Sequence, residues 1–232
     1  MEQIYTIPIK EHFRAAEADP SCGCPLCSLY RMLEENELDL ILGASMMEPD
    51  VRIKTNRQGF CDIHSRIMLG RKNRLGMALT LESHLNELRS DVKDLPLLVP
   101  GSAARHRVSE LESSCYVCGR IAGNFTHLLE NLIYIWSVDE EFRDLFLKQP
   151  YFCLPHWNAM LKTALARLPK KSYRDFSHAA EQVVLPYFDS LREDVSWFCR
   201  KFDYRYADEP WGNSKDSVER AVRFLRGDIH VK

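Results

Sequence analysis

Cysteine and histidine recur in this sequence at spacings that suit metal binding. Cys24-Pro-Leu-Cys27 is followed by Cys61-Asp-Ile-His64, and the same order returns with Cys115-Tyr-Val-Cys118 and Cys153-Leu-Pro-His156. Three thiolates and one neutral imidazole are typical ligands of tetrahedral Zn²⁺, and a two-residue gap lets both members of a pair reach one ion. The motifs therefore predict two zinc ions per chain.

Chain order predicts how these pairs combine. One site would consist of Cys24, Cys27, Cys61 and His64, and the other of Cys115, Cys118, Cys153 and His156. Histidine makes up only 8 of 232 residues, so two Cys-x-x-His pairs at matched distances behind a Cys-x-x-Cys indicate an internal repeat. Each site would clamp the two ends of a helical segment. Four protein ligands leave no position for a catalytic water, which favours structural zinc.

The cysteines also permit other interpretations. Three cysteines and a histidine can hold an iron–sulfur cluster, and spacing does not separate zinc from iron. Structural disulfides or simple buried thiols are less favoured. Cys22 could replace Cys24 as a ligand or act as a redox-active thiol beside the metal, although an ordinary free thiol is the favoured interpretation. Cys199 follows the apolar residues of Val195-Ser-Trp-Phe-Cys199, which favours core packing.

The segments that must position these ligands are predominantly helical in pattern. Apolar residues recur at helical spacing and no strand pattern of convincing length is present, so we predict an all-α fold. The polar stretch 46–59 is predicted to be a loop or short turns. The predicted helices cover residues 25–41, 75–88, 117–136, 140–148, 156–168, 176–198 and 217–225.

We predict two similar helical units, each clamped by a Cys3His zinc site and joined by a long C-terminal helix. The first unit covers residues 1–94 and the second covers 95–170. Residues 171–232 hold the long helix, bent near Pro186, an aromatic tail over 201–216 and a short final helix. The stretch 95–109 contains prolines and a glycine and is the predicted linker.

Composition and charge narrow the class of protein. Lys and Arg number 31 against 33 for Asp and Glu, which gives a net charge of -2. Nucleic-acid binding is therefore unsupported. The first residues lack the pattern of a signal peptide, and no apolar stretch reaches the roughly 20 residues that span a bilayer. We expect a cytoplasmic protein without a membrane segment, where eight cysteines suit metal or redox chemistry.

Three classes of function are compatible with the sequence. The favoured class is a zinc-stabilised binding or regulatory module for a protein or small-molecule partner. The second is a metal or redox sensor, based on zinc or an iron–sulfur cluster. The third is an enzyme with a polar cleft between the two units that uses residues such as Asp50, Arg52 and Arg74. No pattern of a nucleophile with its base or of a phosphate-binding loop is visible, and no oligomeric state is predicted.

Two further groups of residues are candidate binding surfaces. Asp50, Arg52 and their neighbours Glu48 and Asn56 could bind a small polar ligand, although helix capping and salt bridges are favoured for them. The aromatic tail could anchor a partner, but we favour a structural role in which Trp211 holds the tail against the helical body. The tail residues concerned are Tyr204, Arg205, Tyr206, Trp211 and Lys215.

Several segments resemble a bacterial family catalogued as a domain of unknown function. The duplicated Cys motifs are similar to that family over essentially the whole chain, as are Glu48-Pro-Asp-Val-Arg52, Asn73-Arg-Leu-Gly76, Lys201-Phe-Asp-Tyr-Arg205 and Pro210-Trp-Gly212. Its members look like cytosolic proteins of mainly anaerobic gram-positive bacteria, and some are labelled ABC transporter substrate-binding proteins. That label disagrees with the helical pattern and the missing export signal. The resemblance implies the fold and the zinc ligands, but no activity.

Overall fold

The structure, a computed structural model, describes residues 6–93 and 101–228. Within these ranges the chain forms eleven α-helices and no strand, which confirms the all-α prediction. The helices are α1 Thr6–Ala18, α2 Pro25–Leu42, α3 Pro49–Gln58, α4 Asp62–Gly70, α5 Arg74–Lys93, α6 Ser102–Ser113, α7 Tyr116–Val138, α8 Glu140–Leu147, α9 Leu154–Arg167, α10 Lys170–Arg200 and α11 Ser217–Arg226.

Residues 46–59 differ from the predicted loop, because Pro49–Gln58 is helix α3. This helix has no apolar stripe, which is why periodicity missed it. Polar bonds hold it instead: Arg52 Nη1 donates to the Leu79 carbonyl at 2.7 Å and to Ser83 Oγ at 2.8 Å. Pro49 stands in its first turn, and Gly59, with φ of 61°, follows its end.

The predicted linker is also partly helical. Residues 95–100 and the boundary between 94 and 95 lie outside the described residues, but Ser102–Ser113 forms helix α6. Arg107 of this helix is buried. Its guanidinium donates to Asp91 at 2.8 Å, to the Arg57 carbonyl at 2.8 Å and to the Asn56 carbonyl at 3.1 Å. These bonds attach α6 to the helices before it.

Helix α8 is capped by Asp139 and not by Ser137. The segment Ser137-Val-Asp-Glu140 resembles a capping box with Ser137 as the cap. In the structure the cap is Asp139, whose carboxylate accepts from the Phe142 backbone N–H at 3.1 Å. Asp139 also pairs with Lys10 at 2.6 Å, which fixes the end of α7 and the start of α8 against α1.

The chain divides into two compact units with boundaries other than those expected at residues 94 and 170. The first unit combines Met1–Arg31 with Thr126–Lys232, and the second is Met32–Phe125. The boundaries fall inside α2 and α7. Helix α10, expected to join two units, lies wholly within the first.

The core of the first unit is aromatic. Phe13, Phe146 and Phe176 are fully buried, and the Phe146 ring centroid lies 5.5 Å from that of Phe176. Phe146 also approaches Phe152 at 4.8 Å, and Trp136 meets Phe176 edge-on at 5.0 Å. Burial of such large rings is the main stabilising contribution here.

The second unit has an aliphatic core and a tightly packed start to α5. Met68, Met77 and Ile121 are among its buried side chains. Asn73 caps α5, since its carboxamide oxygen accepts from the Gly76 N–H at 2.9 Å and its Nδ2 donates to the Leu42 carbonyl at 2.5 Å. A Cβ at Gly76 would lie 2.8 Å from that carbonyl oxygen, so the position requires glycine. Asn73 and Gly76, the two ends of the segment Asn73-Arg-Leu-Gly76, therefore both have a structural role.

Candidate metal centres

The eight motif residues form two clusters. Cys24, Cys27, Cys153 and His156 make up one, called the outer cluster because its pairs come first and last in the chain. Cys61, His64, Cys115 and Cys118 make up the inner cluster. Within each cluster the four ligand atoms all lie within 4.8 Å of one another. Two clusters with the same ligand set fit the predicted internal repeat.

The predicted pairing of the motifs is therefore wrong. Each Cys-x-x-Cys meets the Cys-x-x-His of the other repeat, because each opens a long helix that carries the chain away from it. Helix α2 has 18 residues and α7 has 23, or about 27 and 35 Å at 1.5 Å per residue. The outer cluster consequently belongs to the first compact unit and the inner cluster to the second.

All four motifs place their ligands at the start of a helix. The first ligand of each motif comes directly before a helix, and the second ligand is the third residue of that helix. The first ligands are Cys24, Cys61, Cys115 and Cys153. The backbone N–H groups at a helix start, together with the helix dipole, stabilise negative charge nearby. This position therefore favours the thiolate form that binds metal. The two-residue spacing follows from the helical turn.

The outer cluster is compact and buried. His156 Nδ1 lies 3.1 Å from Cys153 Sγ, 3.4 Å from Cys27 Sγ and 3.8 Å from Cys24 Sγ. Cys27 and Cys153 have their sulfurs 3.6 Å apart. Burial lowers the pKa of His156 to about 4, so the imidazole is neutral at pH 7 and has a lone pair for a metal.

Buried thiolates in this cluster require a compensating charge. Burial raises the pKa of the Cys24 thiol, because an isolated negative charge is costly in such a place. A bound cation would offset that cost. The backbone N–H of Asp228 also donates to Cys27 Sγ at 3.3 Å.

The inner cluster has the same geometry and a carboxylate behind its histidine. His64 Nδ1 lies 3.2 Å from Cys61 Sγ, 3.4 Å from Cys115 Sγ and 3.3 Å from Cys118 Sγ. Cys61 and Cys118 have their sulfurs 3.8 Å apart. The other ring nitrogen, Nε2, contacts Glu34 Oε1 at 3.0 Å, with both side chains buried. Such a carboxylate fixes the ring and increases its basicity as a ligand.

Negative groups around His64 favour a positive charge at the centre of this cluster. Burial opposes protonation of the ring, but contacts with Cys115 and Glu34 outweigh it and raise the pKa of His64. For Cys115, burial is likewise outweighed by the hydrogen bond with His64, which lowers the pKa of the thiol. A metal ion bound to the thiolates would supply the same positive charge.

Sequence reasoning missed Glu34. A signal was present, since Glu34 and Glu37 stand three residues apart on α2 between the buried residues Leu33 and Leu38. Two acidic residues within an apolar stripe require partners on facing elements. Glu37 pairs with Arg120 at 3.1 Å, and Glu34 contacts the metal-ligand candidate His64.

The remaining cysteines lie outside both clusters. All eight cysteines are free thiols, without the disulfides considered above. Cys24 rather than Cys22 belongs to the outer cluster, and Cys22 is exposed. Cys199 is exposed as well, so the expectation of core packing was wrong.

The other candidate binding residues have structural contacts. Arg52 bonds to helix α5, and Asn56 Nδ2 donates to Glu87 at 2.9 Å. In the aromatic tail, the Trp211 ring lies 5.7 Å from that of Phe198 and is covered by Lys201 Nζ at 5.4 Å. These contacts favour the structural interpretation of both groups.

None of the helices in the described ranges combines the length and the hydrophobicity that a membrane span requires.

Comparison with known proteins adds a family but no activity. No curated protein and no solved structure matches the chain. One family model matches residues 1–232, and its description is a family of unknown function, DUF6062. Because the match covers the whole sequence, the chain belongs to the DUF6062 family.

Proposed function

We propose that this protein binds two zinc ions, one in the outer and one in the inner cluster. The geometry of the ligand atoms carries the proposal. A tetrahedral zinc ion at usual bond lengths places its sulfur ligands about 3.8 Å apart and sulfur about 3.6 Å from nitrogen. The sulfur–sulfur distances of 3.6 and 3.8 Å agree with this, as do sulfur–nitrogen distances between 3.1 and 3.8 Å.

The same distances favour a single ion over an iron–sulfur cluster. In a cluster, iron and sulfide atoms lie between the protein ligands and hold their sulfurs farther apart than around one ion. With every ligand atom within 4.8 Å of the others, the clusters suit one metal ion each. Four protein ligands complete a tetrahedron, which is typical of structural zinc.

We further propose that the zinc ions stabilise a cytoplasmic binding or regulatory module. Metal binding to sites of this type contributes on the order of 10 kcal/mol to folding. Because the ligands come from pairs far apart in sequence, each ion would tie distant segments of its own unit together. An enzymatic role has less support, since Arg52, one of its three candidate residues, is engaged with Leu79 and Ser83.

Elemental analysis of protein purified without oxygen, with its visible absorption spectrum, tests the proposal. We expect two zinc ions per chain and a colourless protein. Iron with inorganic sulfide and a brown colour would establish the iron–sulfur alternative, and iron without sulfide would indicate a single-iron site. Absence of any bound metal would refute metal binding altogether.

A further inference from the structure

The two clusters differ in their access to solvent. In the outer cluster Cys24, Cys27 and Cys153 are at most 1% exposed and His156 is 4% exposed. In the inner cluster His64 is buried, but Cys61 is half-buried and Cys118 is exposed. Reagents in solution can therefore reach a ligand sulfur of the inner cluster directly.

Asp228, two residues after the end of helix α11, lies against the outer cluster. Asp228 donates its backbone N–H to Cys27 Sγ and is held by Arg31, whose Nη1 donates to the Asp228 carbonyl at 3.0 Å and to its carboxylate at 3.2 Å. A hydrogen bond to a metal-bound sulfur reduces its reactivity as a nucleophile. Reaching Cys27 would require displacement of this segment.

The reactive ligand of the inner cluster has a partner nearby. Cys118 Sγ lies 3.8 Å from Cys61 Sγ, the next most accessible sulfur of the cluster. A bonded disulfide has its sulfurs about 2.05 Å apart, so a shift of roughly 1.8 Å would join them. An exposed thiolate with a second cysteine close by is the usual arrangement of a reversible oxidation site.

We propose that the inner cluster is a reversible oxidation site, at which peroxide joins Cys118 to Cys61 and releases the zinc ion while the outer cluster keeps its own. The proposal rests on zinc binding as proposed above. It assigns the two clusters different roles: the outer cluster is a permanent structural site, and the inner cluster is a site that responds to oxidant.

The chemistry balances with hydrogen peroxide as the only oxidant. The Cys118 thiolate attacks one peroxide oxygen, the O–O bond breaks, and hydroxide leaves to give a sulfenic acid. The Cys61 thiolate then attacks the Cys118 sulfur, the S–O bond breaks, and a second hydroxide leaves. Two thiolates are oxidised to a disulfide, and one peroxide is reduced to two hydroxides. Cys115 and His64 alone are too few ligands to retain the ion.

The test uses the full chain loaded with two zinc ions. Hydrogen peroxide is added in increments, released zinc is measured with a zinc-binding dye, and disulfides are identified by mass spectrometry of alkylated peptides. We expect release of one zinc per chain in step with a Cys61–Cys118 disulfide, while the second zinc stays bound. Reduction with a dithiol and addition of zinc should restore the original metal content.

A control variant separates the cluster from the other exposed cysteines. In Cys22→Ser combined with Cys199→Ser, both exposed thiols outside the clusters are absent, and zinc release should be unchanged. Loss of release in this variant, simultaneous release of both ions, or a first disulfide that involves Cys24, Cys27 or Cys153 would each overturn the proposal. If the starting protein contains no zinc, the proposed zinc binding itself fails, which is a distinguishable result.

Discussion

At the scale of single residues, the carboxylate of Glu34 determines how His64 is presented to the inner cluster. Its oxygen lies 3.0 Å from His64 Nε2, which leaves Nδ1 facing the three sulfurs. A neutral imidazole that binds metal through Nδ1 carries its proton on Nε2, and the carboxylate accepts that proton's hydrogen bond. The contact fixes both the tautomer and the ring orientation.

We expect Glu34→Gln to weaken zinc binding by the inner cluster by about 10- to 100-fold, because the ring loses its charged acceptor. Competition with a chelator of known affinity would measure the change. Glu37→Gln is the matched control: it lies on the same helix, is similarly buried, and contacts Arg120 instead of His64. Equal effects of the two substitutions would show that Glu34 acts only through general stability.

At the scale of helices, the start of α5 depends on close backbone packing. Gly76 allows the helix to approach the Leu42 carbonyl, where a Cβ would come within 2.8 Å. Asn73 Nδ2 would lie equally close, but the Leu42 carbonyl oxygen belongs to the backbone and cannot rotate away. Asn73 bonds both to the Leu42 carbonyl and to the Gly76 N–H. Asn73 and Gly76 together therefore provide the cap of α5 and its close packing.

Gly76→Ala should therefore lower the free energy of unfolding by about 1–3 kcal/mol through overpacking, as measured by denaturant titration. Gly123→Ala in α7 is the control, because a Cβ there meets nothing within 4 Å. At that position the higher helix propensity of alanine should leave stability unchanged or slightly increased. A Gly76→Ala protein as stable as the unchanged chain would contradict the packing argument.

The segment after α10 is organised around Lys201. Lys201 is buried, and its ammonium group donates to the carbonyls of Tyr206 at 2.6 Å, Ala207 at 2.8 Å and Glu209 at 2.6 Å. Trp197 Nε1 donates to the Pro210 carbonyl at 3.0 Å. Backbone carbonyls of the aromatic tail thus accept hydrogen bonds from the side chains of Trp197 and Lys201, at the end of the long helix α10.

We predict that Lys201→Met lowers the free energy of unfolding by about 1–3 kcal/mol, because three backbone carbonyls lose a charged donor, and that it increases proteolysis between residues 203 and 210. Calorimetry and limited proteolysis would measure the two effects. Lys215→Met removes an exposed lysine of the same tail and should change neither. Unaltered stability of Lys201→Met would show that these bonds contribute little.

At the scale of the whole molecule, the two metal clusters are nested along the chain. The outer pairs of motifs meet in one compact unit and the inner pairs in the other. Neither cluster is contained in a single repeat. An ion in the first unit would connect α2 to α9, and an ion in the second would connect α4 to α7.

Double substitutions distinguish nested from consecutive pairing by metal content alone. Cys24→Ser with Cys153→Ser damages only the outer cluster, so we expect one zinc to remain per chain. Cys24→Ser with Cys61→Ser damages both clusters and should leave none. Consecutive pairing predicts the opposite results, and elemental analysis would therefore decide between the two arrangements.

The helical class, the positions of most helices and all eight candidate ligands were predictable from sequence patterns, because these features depend on local information. Helical periodicity and the two-residue motif spacing are properties of single turns. The sequence patterns did not predict α1, α3 or α6. Helices α3 and α6 are held by polar bonds such as those of Arg52 and Arg107 in place of an apolar stripe, whereas α1 has a buried apolar face that was overlooked.

The packing of the helices was needed to establish which motif pairs combine, which cluster is exposed and which carboxylate contacts His64. Each of these depends on where long helices end in space, and no local pattern records that. Helices α2 and α7 begin at one cysteine pair and carry the chain beyond its reach, so the ligands that meet come from different repeats. The metal-binding residues follow from sequence spacing, whereas their partnership follows from helix length and packing.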